Sequence, residues 1–204
     1  METPAKEITG VIKLLTQGSP REQEATVSRY FLENASFSHP YCRVPSFSKG
    51  SIPFARHLSS RWAVLAIYQW YRTLSPHIDI TIDSVTFNQD ENILYVSIRQ
   101  TFAVWFIPFY KAPVQLLSVL RLAKKDILLS DNESENAKGL SKESEEPLYY
   151  IASQQDLYAL TDCIQFLLPR LGPLLWSVWQ LFSTFLCVLG KIVFSPVYSL
   201  LNKD

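Results

Sequence analysis

The feature that most constrains this chain is an uncharged run of twenty residues, 171–190, near its C-terminal end. Twenty helical residues rise about 30 Å, which matches the hydrocarbon core of a bilayer. Arg170 and Lys191 flank the run, and Trp176 and Trp179 lie near its start. Basic and aromatic side chains favour these positions at a membrane interface. We therefore expect residues 161–204 to form a hydrophobic tail that attaches the chain to a membrane.

Two membrane arrangements of this tail agree with the sequence. A single span over 171–190 would suit the endoplasmic reticulum. A re-entrant hairpin over 164–201, which is interrupted at 172–173, at Lys191 and at 195–196, would suit a lipid droplet. A helix packed on a domain core is the alternative, but the run has no polar face, which such a helix would present to water. The first ten residues lack the apolar stretch of a secretory signal, so we expect the N-terminal domain to be cytosolic.

Charge and cysteine content narrow the classes of function. The 204 residues include 19 basic and 19 acidic side chains, so the formal net charge is zero. A nucleic-acid-binding protein needs a concentrated basic face, and we therefore expect no nucleic-acid partner. Cys42, Cys163 and Cys187 show neither the spacing of metal ligands nor that of a disulfide framework. The sequence predicts no metal site and no cofactor.

Helical signals dominate the first 75 residues. A first helix is predicted to end at Gly18, and Ser19 forms a capping box with Glu22 at the start of a second. A third helix is predicted over 60–74, where apolar side chains occur nearly all round, as in a helix buried under a sheet. The short alternating run 36–40 ends in a proline and is predicted to be an edge strand.

Strand patterns dominate the middle of the chain. The alternation over 78–87 changes parity near Asp83 and Ser84, which indicates a β-bulge. Further strands are predicted over 94–106, 114–122 and 147–154. The acidic segment 130–146 has almost no apolar residue and is predicted to be a disordered loop. This order predicts an α+β roll over residues 1–160, with a curved antiparallel sheet wrapped over a helix around a cone-shaped cavity.

Several motifs of the chain resemble those of a known family. They are LLTQGSP (14–20), YF (30–31), SHPYCRVP (38–45), IYQWY (67–71), YVSIRQ (95–100), FIPFY (106–110), YYIASQQDL (149–157) and FLCVLG (185–190). Together they resemble the fungal SigF-like proteins, which carry a nuclear-transport-factor-two-like (NTF2-like) domain. The resemblance implies a cone-shaped α+β roll followed by a hydrophobic tail. It implies no function, because this fold hosts enzymes, binding proteins and scaffolds alike.

The resemblance also indicates where chemistry would occur. Some members of this fold superfamily use an Asp or His at the base of the cavity as general acid or base, with Tyr hydroxyls that polarise a substrate oxygen. His39, Tyr68 and Asp156 are the candidate catalytic residues on this basis. Simpler roles stay open for two of them, with His39 bonded to loop backbone and Tyr68 packed as a core aromatic residue.

Four other residues are candidates for ligand binding, because they would add aromatic surface or charge to the cavity. They are Tyr41, Tyr71, Arg99 and Trp105. Arg99 lies in the middle of a strand, opposite an apolar face. It either faces the cavity, where it would need a carboxylate partner such as Asp79 or Asp83, or faces solvent on the outer side.

Three hypotheses for function follow. The first is a membrane-tethered binding module whose partners are membrane lipids and a lipid or other hydrophobic small molecule held in the cavity. The second is an isomerase, dehydratase or cyclase that acts on a hydrophobic substrate. The third is a non-catalytic scaffold that forms a homodimer through the outer face of the sheet. The sequence contains no nucleophile elbow, phosphate loop or dinucleotide-binding motif, so it favours the two non-catalytic hypotheses over an enzyme.

Overall fold

The computed structural model describes residues 1–103, 111–125, 148–168 and 171–194. The chain divides into two units, Met1–Tyr158 and Ala159–Asp204. The predicted acidic loop over 130–146 and the candidate residue Trp105 lie outside the described residues.

Within the described residues, the first unit has three helices: α1 (Pro4–Gln17), α2 (Pro20–Tyr30) and α3 (Ser60–Leu74). The predicted capping box is confirmed, since Ser19 Oγ accepts from the Glu22 N–H at 3.3 Å and the Glu22 carboxylate accepts from the Ser19 N–H at 2.7 Å. This reciprocal pair satisfies two backbone donors and separates α2 from α1.

The described part of the chain has six strands, which form one sheet in the order β2-β1-β6-β5-β4-β3. Their bounds are β1 Phe31–His39, β2 Cys42–Val44, β3 Asp79–Asn88, β4 Ile93–Phe102, β5 Ala112–Lys125 and β6 Leu148–Tyr158. The predicted bulge is confirmed, because the register of β3 against β4 shifts between Ile82 and Ser84. The α+β class is likewise confirmed, because the first unit combines helices with one sheet.

The prediction of a short edge strand over 36–40 is wrong. Strand β1 has nine residues and lies inside the sheet, antiparallel to β2 and parallel to β6. The physical reason is that Phe31, Ala35 and Phe37 are buried, so this strand contributes to the core rather than to a border. The sheet is therefore mixed rather than purely antiparallel.

Helix α3 has the predicted bounds but is not buried on all sides. Val64 is fully buried, whereas Trp62 and Trp70 are exposed by 54 % and 58 %. Tyr68 and Tyr71 lie on the side of α3 that contacts residues of the sheet. The helix thus has a distinct sheet-facing side, and its tyrosine hydroxyls reach polar groups on β1 and β6.

In the second unit, the described residues form α4 (Leu160–Leu167) and α5 (Leu171–Val193). A Cβ added at Gly172 would lie 2.5 Å from Ile164 Cγ2 and 2.9 Å from Ile164 O, so only glycine fits where these two helices meet. Helix α5 is long and apolar enough to cross a membrane, and only 6 % of its most apolar window is buried. The apolar segment predicted from the sequence is thus a continuous, exposed helix.

Candidate functional site

The candidate site lies where the parallel strands β1 and β6 end. Ser38 is in register with Gln155, so His39 and Asp156 follow as the next residues of the two strands. Because side chains alternate along a strand, Gln154, Asp156 and Tyr158 share one face of β6. That face lies toward α3, whose Tyr68 bonds to Gln154. The local fold therefore brings polar residues of β1, β6 and α3 together.

Aromatic rings surround the imidazole of His39. The Tyr158 ring lies at 4.9 Å edge-on, Tyr71 at 5.3 Å, Tyr41 at 5.5 Å, and Phe37 stacks at 6.3 Å. Burial among these rings disfavours the imidazolium and lowers the pKa of His39 from 6.5 to about 4. His39 is consequently a neutral imidazole at physiological pH.

The hydrogen bonds of His39 define its tautomer. The backbone N–H of Tyr41 donates to Nδ1 at 3.3 Å, so Nδ1 carries no proton. The Tyr71 hydroxyl also lies 3.2 Å from Nδ1, and Cys42 Sγ lies 3.4 Å from the same hydroxyl. The proton of the neutral ring is therefore on Nε2. That Nε2–H has no partner among the residues that the structure describes.

Asp156 is the centre of a second cluster of hydrogen-bonded side chains. Its carboxylate accepts from Ser118 Oγ at 2.7 Å and from Gln154 Nε2 at 3.0 Å. The side-chain oxygen of Gln154 in turn accepts from the Tyr68 hydroxyl at 2.8 Å. Burial raises the pKa of Asp156 from 3.8 to about 6, although both donors oppose the shift. This carboxyl group therefore titrates close to neutral pH.

The three tyrosine hydroxyls of the site remain protonated. Burial first, and then the nearby Asp156 charge, raises the pKa of Tyr68 and of Tyr158. Burial is also the largest cause that raises the pKa of Tyr71. The Tyr158 oxygen accepts from Gln100 Nε2 at 3.0 Å, and its own proton has no acceptor within the described ranges. Tyr158 therefore offers a second unused donor.

A pocket of about 220 Å³ opens beside these groups. It is lined by Ser38, His39, Pro40, Gln155, Asp156, Leu157 and Tyr158. Typical small-molecule pockets measure about 300–1,000 Å³, so this one has room for one end of a ligand rather than for a whole acyl chain. The two unused donors, His39 Nε2–H and Tyr158 O–H, belong to residues that line it.

The structure brings together all three candidate catalytic residues, His39, Tyr68 and Asp156. It places Tyr41 and Tyr71 in the same site, through their contacts with the His39 ring.

Arg99 lies elsewhere. Its guanidinium pairs with Asp83 on the outer side of the sheet at 2.6–2.9 Å, and its side chain is 64 % exposed. The core-facing positions of β4 are those of Val96, Ile98 and Phe102, so the odd-numbered Arg99 points away from the cavity.

Sequence reasoning missed several members of the site, namely Cys42, Gln100, Ser118, Gln154 and Tyr158. The alternation of Gln154, Asp156 and Tyr158 at every second position of a strand was a usable signal for two of them. Ser118 and Gln100 carry no such signal, because they join the site only through their pairing with β6 and their reach across the sheet. Among the described residues, no group of three metal-binding side chains occurs.

Solved structures with a similar fold include a hypothetical protein with a ketosteroid isomerase-like fold from Catenulispora acidiphila, crystallised with trimethylamine. It is 13 % identical, with a TM-score of 0.49, over 79 % of this chain and 92 % of its own. A protein from Jannaschia sp. CCS1 assigned as a SnoaL-like polyketide cyclase is 10 % identical, with a TM-score of 0.47, over 80 % and 93 %. At such identities the similarity concerns the fold alone.

Comparison by sequence identifies the family. No curated protein is similar enough to count as a relative. The family described as the SigF NTF2-like domain matches residues 1–129 and 139–197, which is most of the chain. The match extends from the roll through α5, as the resemblance of the motifs indicated. The chain therefore belongs to the SigF family of NTF2-like domains.

Proposed function

We propose that this protein is a membrane-anchored domain that binds a lipid or another hydrophobic small molecule by an oxygen-bearing end. The observation that carries the proposal is the pair of unused donors, His39 Nε2–H and Tyr158 O–H, on residues that line one pocket. Two neutral donors suit a carbonyl, ester or hydroxyl oxygen. The fully buried side-chain atoms without a partner in the described residues are Ser60 Oγ and Asn92 Oδ1, so His39 Nε2 is accessible to an incoming ligand oxygen.

The surroundings of the donors support an apolar ligand body. The imidazole is neutral at physiological pH and is enclosed by aromatic rings, so an apolar molecule that covers this ring meets no charge on the ring itself. Leu157 lines the pocket and is 44 % exposed, and Tyr41 beside His39 is exposed to the same extent. These side chains would contact the part of the ligand that the pocket is too small to hold.

The anchor supports the same proposal, because it would keep the domain where hydrophobic ligands are concentrated. Helix α5 supplies an exposed apolar surface of membrane-spanning length. We place the roll in the cytosol and the anchor in the endoplasmic reticulum or a lipid droplet, in keeping with the absence of charge across 171–190 and the basic residue Lys191 that follows it.

Mass spectrometry of bound molecules tests the proposal. The full chain would be purified from membranes in a mild detergent, and small molecules would be released by denaturation and identified. We expect one oxygen-containing hydrophobic compound enriched over bulk lipid, and about a tenfold loss of it in His39→Phe, the value of one hydrogen bond. His57→Phe, at an exposed histidine outside the site, is the matched control. Equal recovery from His39→Phe and the control would reject the site.

A second candidate function, acid–base catalysis, is favoured by one specific observation. The pKa of Asp156 is raised to about 6, and a general base works best when its pKa lies near the operating pH. Asp156 would move a proton of the substrate while the His39 and Tyr158 donors polarise its oxygen, as an isomerase, dehydratase or cyclase requires. Under this hypothesis, Asp156→Asn should retain an unconverted substrate whose mass or connectivity differs from the compound recovered with the wild type. The same compound in both would exclude catalysis by Asp156.

A further inference from the structure

Helix α5 carries its uncharged polar side chains on one side, contrary to the expectation that the apolar run has no polar face. At about 100° per residue, these side chains fall within an arc of about 120° centred on Gln180. Toward the two ends of α5 the same arc also holds Pro173, Trp176 and Lys191, but it holds no Leu, Val, Ile or Phe of this helix. The uncharged polar members are Ser177, Gln180, Ser183, Thr184 and Cys187. We call these five residues the α5 polar face.

The α5 polar face is unsuited to contact with water at a membrane surface. Helices that lie in the interface have strongly charged polar sides, whereas this helix has no charge before Lys191. Two of its hydroxyls are already satisfied, because Ser177 donates to Pro173 O at 2.8 Å and Thr184 to Gln180 O at 2.9 Å. Such hydroxyls need no water and are tolerated inside a bilayer.

Gln180 is different, because its carboxamide has no partner in the described part of the chain. It lies nine residues from the start of α5 and thirteen from its end, which places it about 14 Å into a helix about 33 Å long. In a spanning helix this position is within the hydrocarbon, where an unpaired amide is unfavourable. The face therefore requires a partner that both donates and accepts.

We propose that two copies of this chain associate in the membrane through the α5 polar face, with the two Gln180 carboxamides paired reciprocally. This inference rests on the proposed membrane span. A carboxamide is both donor and acceptor, and copies inserted in the same orientation bring Gln180 to the same depth. The spacing of Ser177, Gln180, Thr184 and Cys187 is 3, 4 and 3 residues, the seam of a paired helix. Serine and threonine are small enough for close approach of two backbones.

Disulfide cross-linking in membranes tests this pairing. Cys187 lies on the α5 polar face two turns after Gln180, so in parallel copies the two Cys187 thiols would face each other. In a full chain with Cys42→Ser and Cys163→Ser, mild oxidation by copper phenanthroline should give a covalent dimer on a non-reducing gel. The matched control adds Cys187→Ser and Phe182→Cys, which moves the thiol to the opposite side of the helix and should give little dimer.

A second substitution tests the role of the amide. Gln180→Ala should lower the yield of the Cys187 dimer by about three- to tenfold, the effect of one interhelical polar contact, while Leu181→Ala, outside the polar face, should leave it unchanged. Carbonate extraction of the same membranes separates the two proposals. Release by carbonate would refute the anchor itself. Retention with equal cross-linking at 187 and 182, or with none at either, would overturn the pairing and leave the anchor intact.

Discussion

Deletion of residues 159–204 should move the protein from carbonate-resistant membranes to the soluble fraction. Leu174, Leu181 and Phe185 of α5 are 60–71 % exposed, and the helix has many more exposed apolar side chains. Burial of one such side chain contributes about 1.5–3 kcal/mol, so transfer of the whole helix into lipid is favourable by tens of kcal/mol. Without it, the roll has no described segment of comparable apolar exposure. Fractionation with carbonate, followed by immunoblotting, measures the change.

Two controls make this result specific. The truncated chain should still unfold cooperatively by circular dichroism, because Met1–Tyr158 contains its own buried core. A full-length chain with Leu181→Lys and Phe185→Lys keeps the helix length but adds about 2.5–3.5 kcal/mol of insertion cost for each charge near the helix centre, and should be extracted more easily. A truncated protein that stays in the carbonate-resistant fraction would show that the roll itself attaches to the membrane.

Asp156→Asn should gain stability relative to the wild type as the pH rises from 4 to 6. The pKa of Asp156 is raised in the folded state, so the folded protein binds more protons than the unfolded one in this window. The protonated Asp156 therefore stabilises the folded protein at low pH, and this contribution is lost as the pH rises through the pKa of the folded state. The asparagine variant lacks this loss. The expected gain in the free energy of unfolding, relative to the wild type, is about 2 kcal/mol. This is less than the free energy that corresponds to the full pKa shift, because Asp156 keeps some exposure to the pocket. This corresponds to about 5 °C in Tm.

For His39→Gln, the difference in stability from the wild type should change with pH in the opposite direction. The pKa of His39 is lowered by burial, so the folded protein binds fewer protons, and its stability is lost as pH falls from 6.5 toward 4. The variant lacks this loss and should therefore fall in Tm relative to the wild type as pH rises from 4 to 6.5. Differences in Tm between variant and wild type, taken at each pH, remove the contributions of other groups. Two difference curves that are flat across pH 4–6.5 would contradict the described burial of both groups.

Local signals predicted the elements that depend on neighbouring residues. The capping box at Ser19, the bounds of α3, the bulge near Asp83 and the apolar run of α5 are each encoded within a few residues of one another. The parallel pairing of β1 with β6 joins residues more than a hundred positions apart, and no local pattern specifies it. The edge-strand prediction failed for this reason.

In the candidate site, too, some residues could be identified from local sequence and others join it only through the pairing of distant strands. His39, Tyr68 and Asp156 have side chains suited to acid–base chemistry, so they were identifiable from the sequence. Ser118 joins them only because it is paired opposite Asp156 in the register of β5 and β6. The outward position of Arg99 was accessible from the sequence, since Val96 and Ile98, which precede it at even-numbered positions, are core residues and Arg99 is odd-numbered. The polar side of α5 was also accessible from the sequence, because Ser177, Gln180, Thr184 and Cys187 follow one another at helical spacings of 3, 4 and 3 residues.

The proton state of His39 is the most direct test of this account, because ligand binding and catalysis both need a neutral ring that offers Nε2–H at the pocket. The chain has three histidines, His39, His57 and His77, so ¹⁵N-labelled histidine gives a spectrum that single substitutions can assign. We expect His39 to stay neutral down to about pH 5, with the proton on Nε2 and a pKa of about 4. A midpoint near 6.5, or a proton on Nδ1, would contradict it.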